Sequence, residues 1–254
     1  MQSFADEGRR FAQIKKNLRK SAVKSAKICA KKNLTKFTSI TMKHVTFLLL
    51  AITCFYSTSF AQAWLDKGEK NGVKGVYRVV NGEYQMRLTT TVNVTLGACV
   101  GLLKDASAYP KWMEGTSTSK LLQEPNPSEI YFYGTSDMPW PISDRDFAMH
   151  GSISQNATTK VVNVNSNTVP TYYPAQKDFV RLKYYKINML LTPIKKGQTQ
   201  VQCEISLNIK EGLPEWLIDW FAADRLFNTM TKFRKLVQTD TYKNATHPKI
   251  AEPS

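Results

Sequence analysis

The sequence predicts an α+β fold in which a curved antiparallel β-sheet wraps around a long C-terminal α-helix. Three observations lead to this class. Most segments between residues 72 and 210 alternate apolar and polar side chains, as strands with one buried face do. These strands mostly follow one another without the helices that a parallel sheet needs between them. After these strands, residues 214–238 form an amphipathic segment that is long enough to cover the concave face of a sheet.

The first part of the predicted domain contains a hairpin and a helix. Residues 64–71 are expected to form a short helical lead-in. The segments "GVKGVYRVV" and "YQMRLTTTVNV" alternate on either side of the turn "NGE", which is a strong hairpin signal. The spacing then becomes helical, and Tyr109-Pro110 is expected to end that helix. Its apolar positions are Leu96, Cys99, Val100 and Leu103.

Residues 119–210 are predicted to be almost entirely strands separated by turn-forming residues. One connection is unusual. The stretch "MPWPISDRDFA", residues 138–148, places a proline on each side of Trp140 and then an Asp-Arg-Asp triplet between two apolar strands. The strand segments are "SKLLQEP", "EIYFYGTSDM", "DFAMHGSISQ", "KVVNVNSN", "DFVRLKYYKINMLLTPI" and "QTQVQCEISLNIK".

The closing helix is predicted to begin at Pro214, because proline fits the first helical position and no glycine or proline interrupts the following residues up to 238. The tail, residues 241–254, is expected to be loose. We therefore place the folded domain at residues 64–240. The apolar stripe of the helix comprises Leu217, Trp220, Phe221, Phe227, Met230 and Val237.

The N-terminal 63 residues carry most of the positive charge. The formal net charge is +15, but residues 1–41 hold eleven Lys or Arg against two acidic residues, and only +5 remains after residue 63. Nucleic-acid binding by the folded domain is therefore not indicated. Residues 42–63 combine a positive start, an apolar run too short to span a bilayer and small residues at cleavage spacing. They predict a signal peptide and export to a periplasm or beyond, without membrane anchoring.

Residues 1–41 leave three interpretations open. An upstream start codon, with Met42 as the true initiator, is the one we favour. The others are an organellar transit segment, since the stretch is basic and poor in acids, and a nucleic-acid-binding arm. The domain itself retains Cys99 and Cys203, which we expect to be small buried hydrophobic residues rather than a disulfide.

Over residues 64–238 the chain resembles the START lipid-transfer domain, which has a helix-grip fold. Three stretches carry the resemblance: "VGLLKDASAYPKWM", a helix ending in tryptophan; "MPWPISDRDF", with the Pro-Trp-Pro and Arg-Asp corner; and "EGLPEWLIDWFAADRLFNTMTKFRKL", with a Leu-Pro entry to the closing helix. The resemblance implies a hollow between sheet and helix that encloses one lipid or other hydrophobic molecule without catalysis. The family's Arg-Asp motif falls on Arg145 and Asp146. The next strand lacks the charged residue of some sterol and phospholipid carriers, so no head group is implied.

The candidate ligand contacts come from the corner, the strands and the closing helix. Tyr131 and Tyr133 share one strand face, and Trp220 and Phe227 lie seven residues apart on the helix. For each residue, ordinary core packing is the competing interpretation. Arg145 and Asp146 are expected to pair with each other and anchor the corner at or near the cavity. The full set of candidates is Tyr131, Tyr133, Trp140, Arg145, Asp146, Met149, Tyr184, Trp220 and Phe227.

No catalytic or metal-binding motif is found in the sequence. His150 is the only histidine between residues 64 and 240, so no second histidine there completes a metal pair or a triad. We predict a monomeric carrier of a lipid or other hydrophobic ligand, with no cofactor or metal and with transient membrane contact. The alternative is a helix-grip enzyme, cyclase- or hydrolase-like, that uses His150 and Asp146 on a hydrophobic substrate. A third hypothesis, a ligand-free structural module, predicts a filled interior.

Overall fold

A curved antiparallel sheet of ten strands dominates the part of the chain that the structure describes. This computed structural model describes residues 63–208 and 224–253. The strands are β1 Leu65–Lys70, β2 Val73–Val80, β3 Glu83–Val92, β4 Thr116–Asn126, β5 Glu129–Ser136, β6 Arg145–Gln155, β7 Val162–Thr168, β8 Val180–Arg181, β9 Tyr185–Lys195 and β10 Gln198–Asn208. Their order is β1-β2-β3-β10-β9-β7-β6-β5-β4, and β8 pairs with β6.

Four short helical elements in the described residues complete the fold: α1 Leu96–Lys104, a 3-10 helix Ala106–Ala108, α2 Tyr109–Trp112 and α3 Leu226–Val237. The inner face of the sheet packs against α3. Gly75 of β2 allows the ring of Phe227 on α3 to approach the strand closely. A Cβ atom on Gly75 would lie 2.5 Å from Cζ of Phe227, so only glycine lets this ring rest on the strand. The predicted α+β architecture, a sheet around a C-terminal helix, is confirmed.

The core follows from the alternation of side chains along the central strands. In β3 every second residue is buried, from Tyr84 to Val92. Its partner β10 contributes Val201, Cys203 and Ile205 to the same buried layer. Both Cys99 and Cys203 are buried free thiols, as predicted.

The hairpin prediction is confirmed, and two local predictions are wrong. Asn81 and Gly82 both have positive φ, as a two-residue hairpin turn requires. Residues 64–71 do not form a helix, because Asn71 and Gly72 make a second turn of this kind and pair β1 with β2. Nor does Pro110 end a helix: α1 has already ended at Lys104, and Pro110 lies in the first turn of α2.

The C-terminal tail is packed rather than loose, contrary to our expectation. The ring of His247 is buried, with Nε2 lying 2.9 Å from the carbonyl oxygen of Pro127. The carboxylate of Glu252 accepts hydrogen bonds from the backbone N–H groups of Leu96 and Gly97, at 3.1 and 2.8 Å. A carboxylate at a helix N-terminus satisfies free donors and interacts favourably with the helix dipole, which explains why the tail docks there.

Several predictions concern residues that lie outside the described ones. These are the N-terminal extension 1–41, nearly all of the signal peptide 42–63, and the first part of the closing helix, including Trp220. The last strand before that helix is described as far as Asn208.

Candidate functional site

An internal cavity of about 100 Å³ lies between the inner face of the sheet and the beginning of α3. Most of its wall is apolar. The sheet contributes Phe147 from β6, Met189 from β9 and Ile205 from β10, while Trp112 of α2 and Leu226 of α3 close the other side. The interior is therefore not filled, which is contrary to the structural-module hypothesis.

Two arginines, one glutamate and several hydroxyl groups form the polar part of the wall. Arg145 stands at the first position of β6, and Arg225 directly precedes α3. Glu114 also lines the cavity, and its carboxylate is ion-paired with Lys232. Burial raises the pKa of Tyr185, which shares this wall, so its hydroxyl stays protonated at neutral pH.

Arg225 ties the helix to two loops at the edge of the cavity. The residue is only 5 % exposed. Its Nε donates to the carbonyl oxygen of Glu114 at 2.7 Å, and its two Nη atoms donate to the carbonyl of Asp137 at 3.1 Å and the hydroxyl of Ser136 at 2.9 Å. Burial lowers the pKa of Arg225, against an opposing effect of Tyr185 and of nearby carboxylates, but a guanidinium remains charged at neutral pH.

Gly115 makes the position of Arg225 possible. This glycine has φ of +76°, and a Cβ atom there would lie 1.4 Å from Nη2 of Arg225. Any side chain at residue 115 would therefore collide with the guanidinium and strain the backbone.

A surface hollow of about 350 Å³, which we call the outer hollow, adjoins the cavity. Glu114, Met138 and Arg225 line both spaces, so they form the partition between them. The remaining residues of the outer hollow are Gly115, Asp137, Pro139, Asp224 and Asn228.

The outer face of β6 holds a buried ion pair. Asp146 is fully buried and accepts two hydrogen bonds of 2.8 Å from the guanidinium of Arg181. The hydroxyl of Tyr133 donates to the same carboxylate at 3.2 Å. Our expectation that Arg145 pairs with Asp146 is therefore wrong, because consecutive strand residues point to opposite faces of the sheet.

The loop between β7 and β8 covers this outer face. Arg181 also donates to the carbonyl oxygens of Pro170, Tyr173 and Pro174, which fixes the loop to the strand. Two tyrosines of the loop pack on the sheet. Tyr172 stacks on Tyr131 with 4.1 Å between ring centroids, and Tyr173 lies tilted over Tyr133 at 4.4 Å.

The structure describes eight of the nine candidate residues, and one of those eight lines the cavity. Arg145 lines the cavity. Met149 and Phe227 are buried in the core, and Phe227 packs on Gly75 rather than at the cavity wall. On the outer face, Tyr131 and Tyr133 pack on loop tyrosines, Asp146 binds Arg181, and the hydroxyl of Tyr184 donates to Glu83 at 2.7 Å. Trp140 is 91 % exposed, and Trp220 lies outside the described residues.

One wall residue, Arg225, could have been found from the sequence, whereas alternation misplaces Tyr185 relative to Leu182. Arg225 lies four residues before Thr229 and eight before Phe233, both buried, so helical spacing places the guanidinium on the buried face. A continuous strand over residues 182–187 would place Tyr185 on the face opposite Leu182. Residues 182–184 are not in a strand, however, and the side chains of Leu182 and Tyr185 line the same cavity.

The thiols of the domain are chemically quiet, and no metal cluster is present in residues 63–208 and 224–253. Burial raises the pKa of both Cys99 and Cys203 to about 12, so neither is a thiolate at neutral pH. Within those ranges no group of three His, Cys, Asp or Glu residues is placed to hold a metal ion. Nor does any helix there have the length and apolarity to cross a membrane.

A sheet that grips a C-terminal helix around a mainly apolar cavity defines a helix-grip protein. The chain belongs to the START domain family, whose family model matches residues 59–243. It is 26 % identical to an uncharacterized protein of Pseudomonas aeruginosa, over 76 % of this chain and 96 % of that protein.

Two solved structures share the fold. One is a fragment of the STAR-related lipid transfer protein of Xanthomonas axonopodis, with a TM-score of 0.62 and 25 % identity, covering 69 % of this chain and 99 % of that one. The other is human StAR-related lipid transfer protein 5, with a TM-score of 0.60 and 18 % identity, covering 77 % and 95 %.

The partition around Arg225 can be tested with two glycine variants. Gly115→Ala is expected to lower the free energy of unfolding by about 2 to 4 kcal/mol more than Gly197→Ala, because Arg225 must give up its hydrogen bonds. Gly197 is the matched control, since it has φ of +71° but no atom lies within 4 Å of the position that a Cβ would take there. Urea denaturation measures both, and equal losses would contradict the assigned position of Arg225.

Proposed function

We propose that the chain is a monomeric, non-enzymatic carrier that binds a lipid or other hydrophobic molecule between the sheet and α3 and transfers it between membranes. The observation that carries this proposal is the mainly apolar internal cavity, reached through the partition of Glu114, Met138 and Arg225. The family and the named lipid transfer proteins of similar fold support it.

The size of the cavity indicates how the ligand is held. Sites for drug-sized molecules usually measure about 300 Å³ or more, whereas the cavity has about 100 Å³. The ligand therefore places one apolar segment in the cavity, and the rest extends through the partition into the outer hollow of about 350 Å³. Each CH₂ group that the cavity buries contributes about 0.8 kcal/mol before the cost of association, so a short segment contributes only a few kcal/mol. Binding assays should consequently span micromolar to millimolar concentrations.

An enzymatic function has less support from the site. His150 and Asp146, on which that alternative depends, lie on the outer face of β6. His150 stacks on Tyr131 at 4.6 Å between ring centroids and has Nε2 3.5 Å from the carboxylate of Glu129. The strand separates both residues from the cavity, which is lined by Arg145 and Phe147 of the same strand.

Filling the cavity should abolish binding. Ile187→Trp adds bulk to the wall and is expected to weaken uptake of hydrophobic ligands at least tenfold, at a cost in stability of about 1 to 3 kcal/mol. Native mass spectrometry with lipid extraction measures the bound ligand. The control is Ile194→Trp on the same strand, since Ile194 is 52 % exposed and lies about 23 Å further along β9. Wild-type protein that never takes up a hydrophobic ligand would refute the carrier function.

Transfer requires membrane contact, for which Trp140 is the proposed contact point. Trp140 is almost fully exposed in the loop that also contributes Met138 and Pro139 to the outer hollow. Tryptophan is favoured at membrane interfaces, because its ring is apolar and its N–H is polar.

We expect Trp140→Ala to weaken binding to anionic phosphatidylglycerol–phosphatidylcholine vesicles about tenfold, since about half of a large aromatic surface is removed from the contact. Vesicle co-sedimentation measures this. Ile194→Ala, which removes another exposed apolar side chain, should leave binding unchanged. If both variants bind vesicles like the wild type, Trp140 is not the contact.

Export is the proposed route to those membranes, and Ala61 provides its test. Ala61 belongs to both possible cleavage pairs, with Ser59 or with Ala63. Intact mass of the exported protein should place the first residue at Gln62 or Trp64, and Ala61→Arg should make the uncleaved precursor accumulate. An unprocessed wild-type chain that stays in the cytosol would refute export.

A further inference from the structure

Met138 places an oxidisable sulfur at the partition between the cavity and the outer hollow. Its side chain lines both spaces. The backbone around it is fixed at two points. The N–H of Met138 donates to the carboxylate of Asp144 at 2.8 Å, and the N–H of Asp137 donates to the carbonyl oxygen of Gly115 at 2.9 Å. The loop therefore holds the base of the Met138 side chain in a defined position.

The sulfur of Met138 lies beside the guanidinium of Arg225. Nη1 of Arg225 is 4.0 Å from Sδ of Met138, and it also donates to the carbonyl oxygen of Asp137 at 3.1 Å. Such a nitrogen carries two hydrogens, so it serves both contacts. A thioether is only a weak acceptor, whereas Glu114, Ser136 and Asp137 present oxygens to the same guanidinium. A chemical change that turned the sulfur into a strong acceptor would therefore strengthen the partition.

Met138 is also within reach of small oxidants in solution. Of the six methionines that the structure describes, four are 3 % exposed or less, and Met113 and Met138 are partly exposed. Met113 lines the cavity, whereas Met138 also lines the outer hollow at the surface. Because a peroxide must reach the sulfur in order to react, we expect Met138 to be the first of the six to be oxidised.

Oxidation by a hydroperoxide adds one oxygen atom to this sulfur. With hydrogen peroxide, a sulfur lone pair attacks one oxygen and the O–O bond breaks. The departing hydroxide takes the proton of the transferred oxygen, so the products are methionine sulfoxide and water. The sulfur loses two electrons and the peroxide gains them. Sulfoxide reductases reverse the change, which makes it suitable for regulation.

We propose that Met138 is an oxidation switch that tightens the partition, an inference whose effect on the ligand rests on the proposed carrier function. An N–H···O bond measures about 2.7 to 3.2 Å, and 4.0 Å separates Nη1 from the sulfur. An oxygen added to the sulfur on the side of Nη1 spans this difference. A hydrogen bond from a charged donor is about twice as strong as a neutral one. The sulfoxide therefore ties the loop of residues 137–139 to the beginning of α3, and ligand entry through the partition becomes slower.

The first test needs no ligand. Dilute hydrogen peroxide should convert Met138 to its sulfoxide at least fivefold faster than Met113, as mass spectrometry of peptides measures. In the oxidised protein the Nε–H of Arg225 should exchange with solvent at least tenfold more slowly, since the guanidinium is held by one more strong acceptor. NMR measures this exchange, with the resonance assigned by Arg225→Lys. Faster oxidation of Met113, or unchanged exchange at Arg225, overturns the switch.

The second test measures ligand entry. Stopped-flow fluorescence follows the association of N-phenyl-1-naphthylamine, a hydrophobic probe, with the full protein before and after peroxide treatment. Oxidation should slow the association at least tenfold in the wild type and in Met113→Leu. In Met138→Leu, which has no sulfur at the partition, peroxide should change the rate less than twofold.

The outcomes separate the switch from the carrier function. A wild-type rate that peroxide leaves unchanged, or a response that persists in Met138→Leu, overturns the switch and leaves the carrier function standing. A probe that does not bind even the unoxidised protein counts against the carrier function. In that case the exchange of the Arg225 Nε–H still decides whether Met138 tightens the partition.

Discussion

The alternation of side chains along β6 determines the organisation of the site. Arg145 and Asp146 are consecutive, so one faces the cavity and the other the outer surface, and a slip of one residue would exchange them. A buried carboxylate is tolerated only with a partner, and Arg181 supplies it with two hydrogen bonds. That arginine also binds three loop carbonyls just before the chain enters β9. The ion pair outside the sheet thus positions Tyr185 and Ile187, which form the cavity wall inside it.

A second buried charge closes the cavity on the helix side. Arg225 contacts the loop after α2 and the end of β5, so the beginning of α3 is bound to both. The guanidinium of Arg225 donates hydrogen bonds to the backbone carbonyl oxygens of Glu114 and Asp137. These hydrogen bonds compensate for removing the charged group from water. Gly115 leaves the space that this requires. The wall therefore combines apolar residues from the sheet with a partition made of polar contacts.

The sequence was sufficient for the architecture, because that depends on periodicity. Alternation over many residues defines strands, and the "NGE" turn defines a hairpin regardless of tertiary context. The predicted helix at residues 64–71 is wrong because eight residues carry little periodic signal, and the Asn71-Gly72 turn pairs them with β2 as a strand. The tail was misjudged because its main contact, Glu252 with the start of α1, spans more than 150 residues.

The site was harder to predict, since it depends on which face each residue takes. The sequence indicated that residues 138–148 form a charged corner between strands, and Arg145 of that corner lines the cavity. It could not show that Asp146 would find Arg181, 35 residues away, rather than its neighbour. Tyr133 and Tyr184 were predicted to be aromatic strand residues, but a covering loop gives Tyr133 a partner outside the cavity, and a hydrogen bond to Glu83 does the same for Tyr184. Aromatic content alone therefore does not distinguish a cavity wall from a covered outer face.

The two sides of the cavity wall are held together by different kinds of contact. The sheet side is held by continuous ladders of backbone hydrogen bonds between β9 and β10 and between β5 and β6, which open only with the fold. The partition side is held by side-chain contacts: Arg225 donates to three neutral oxygens, the N–H of Glu114 donates to Thr229, and the carboxylate of Glu114 pairs with Lys232. A net contribution of about 1 kcal/mol for each such hydrogen bond is small beside the cost of opening a strand ladder. We therefore propose that a ligand enters by movement of the beginning of α3 away from Glu114 and Ser136.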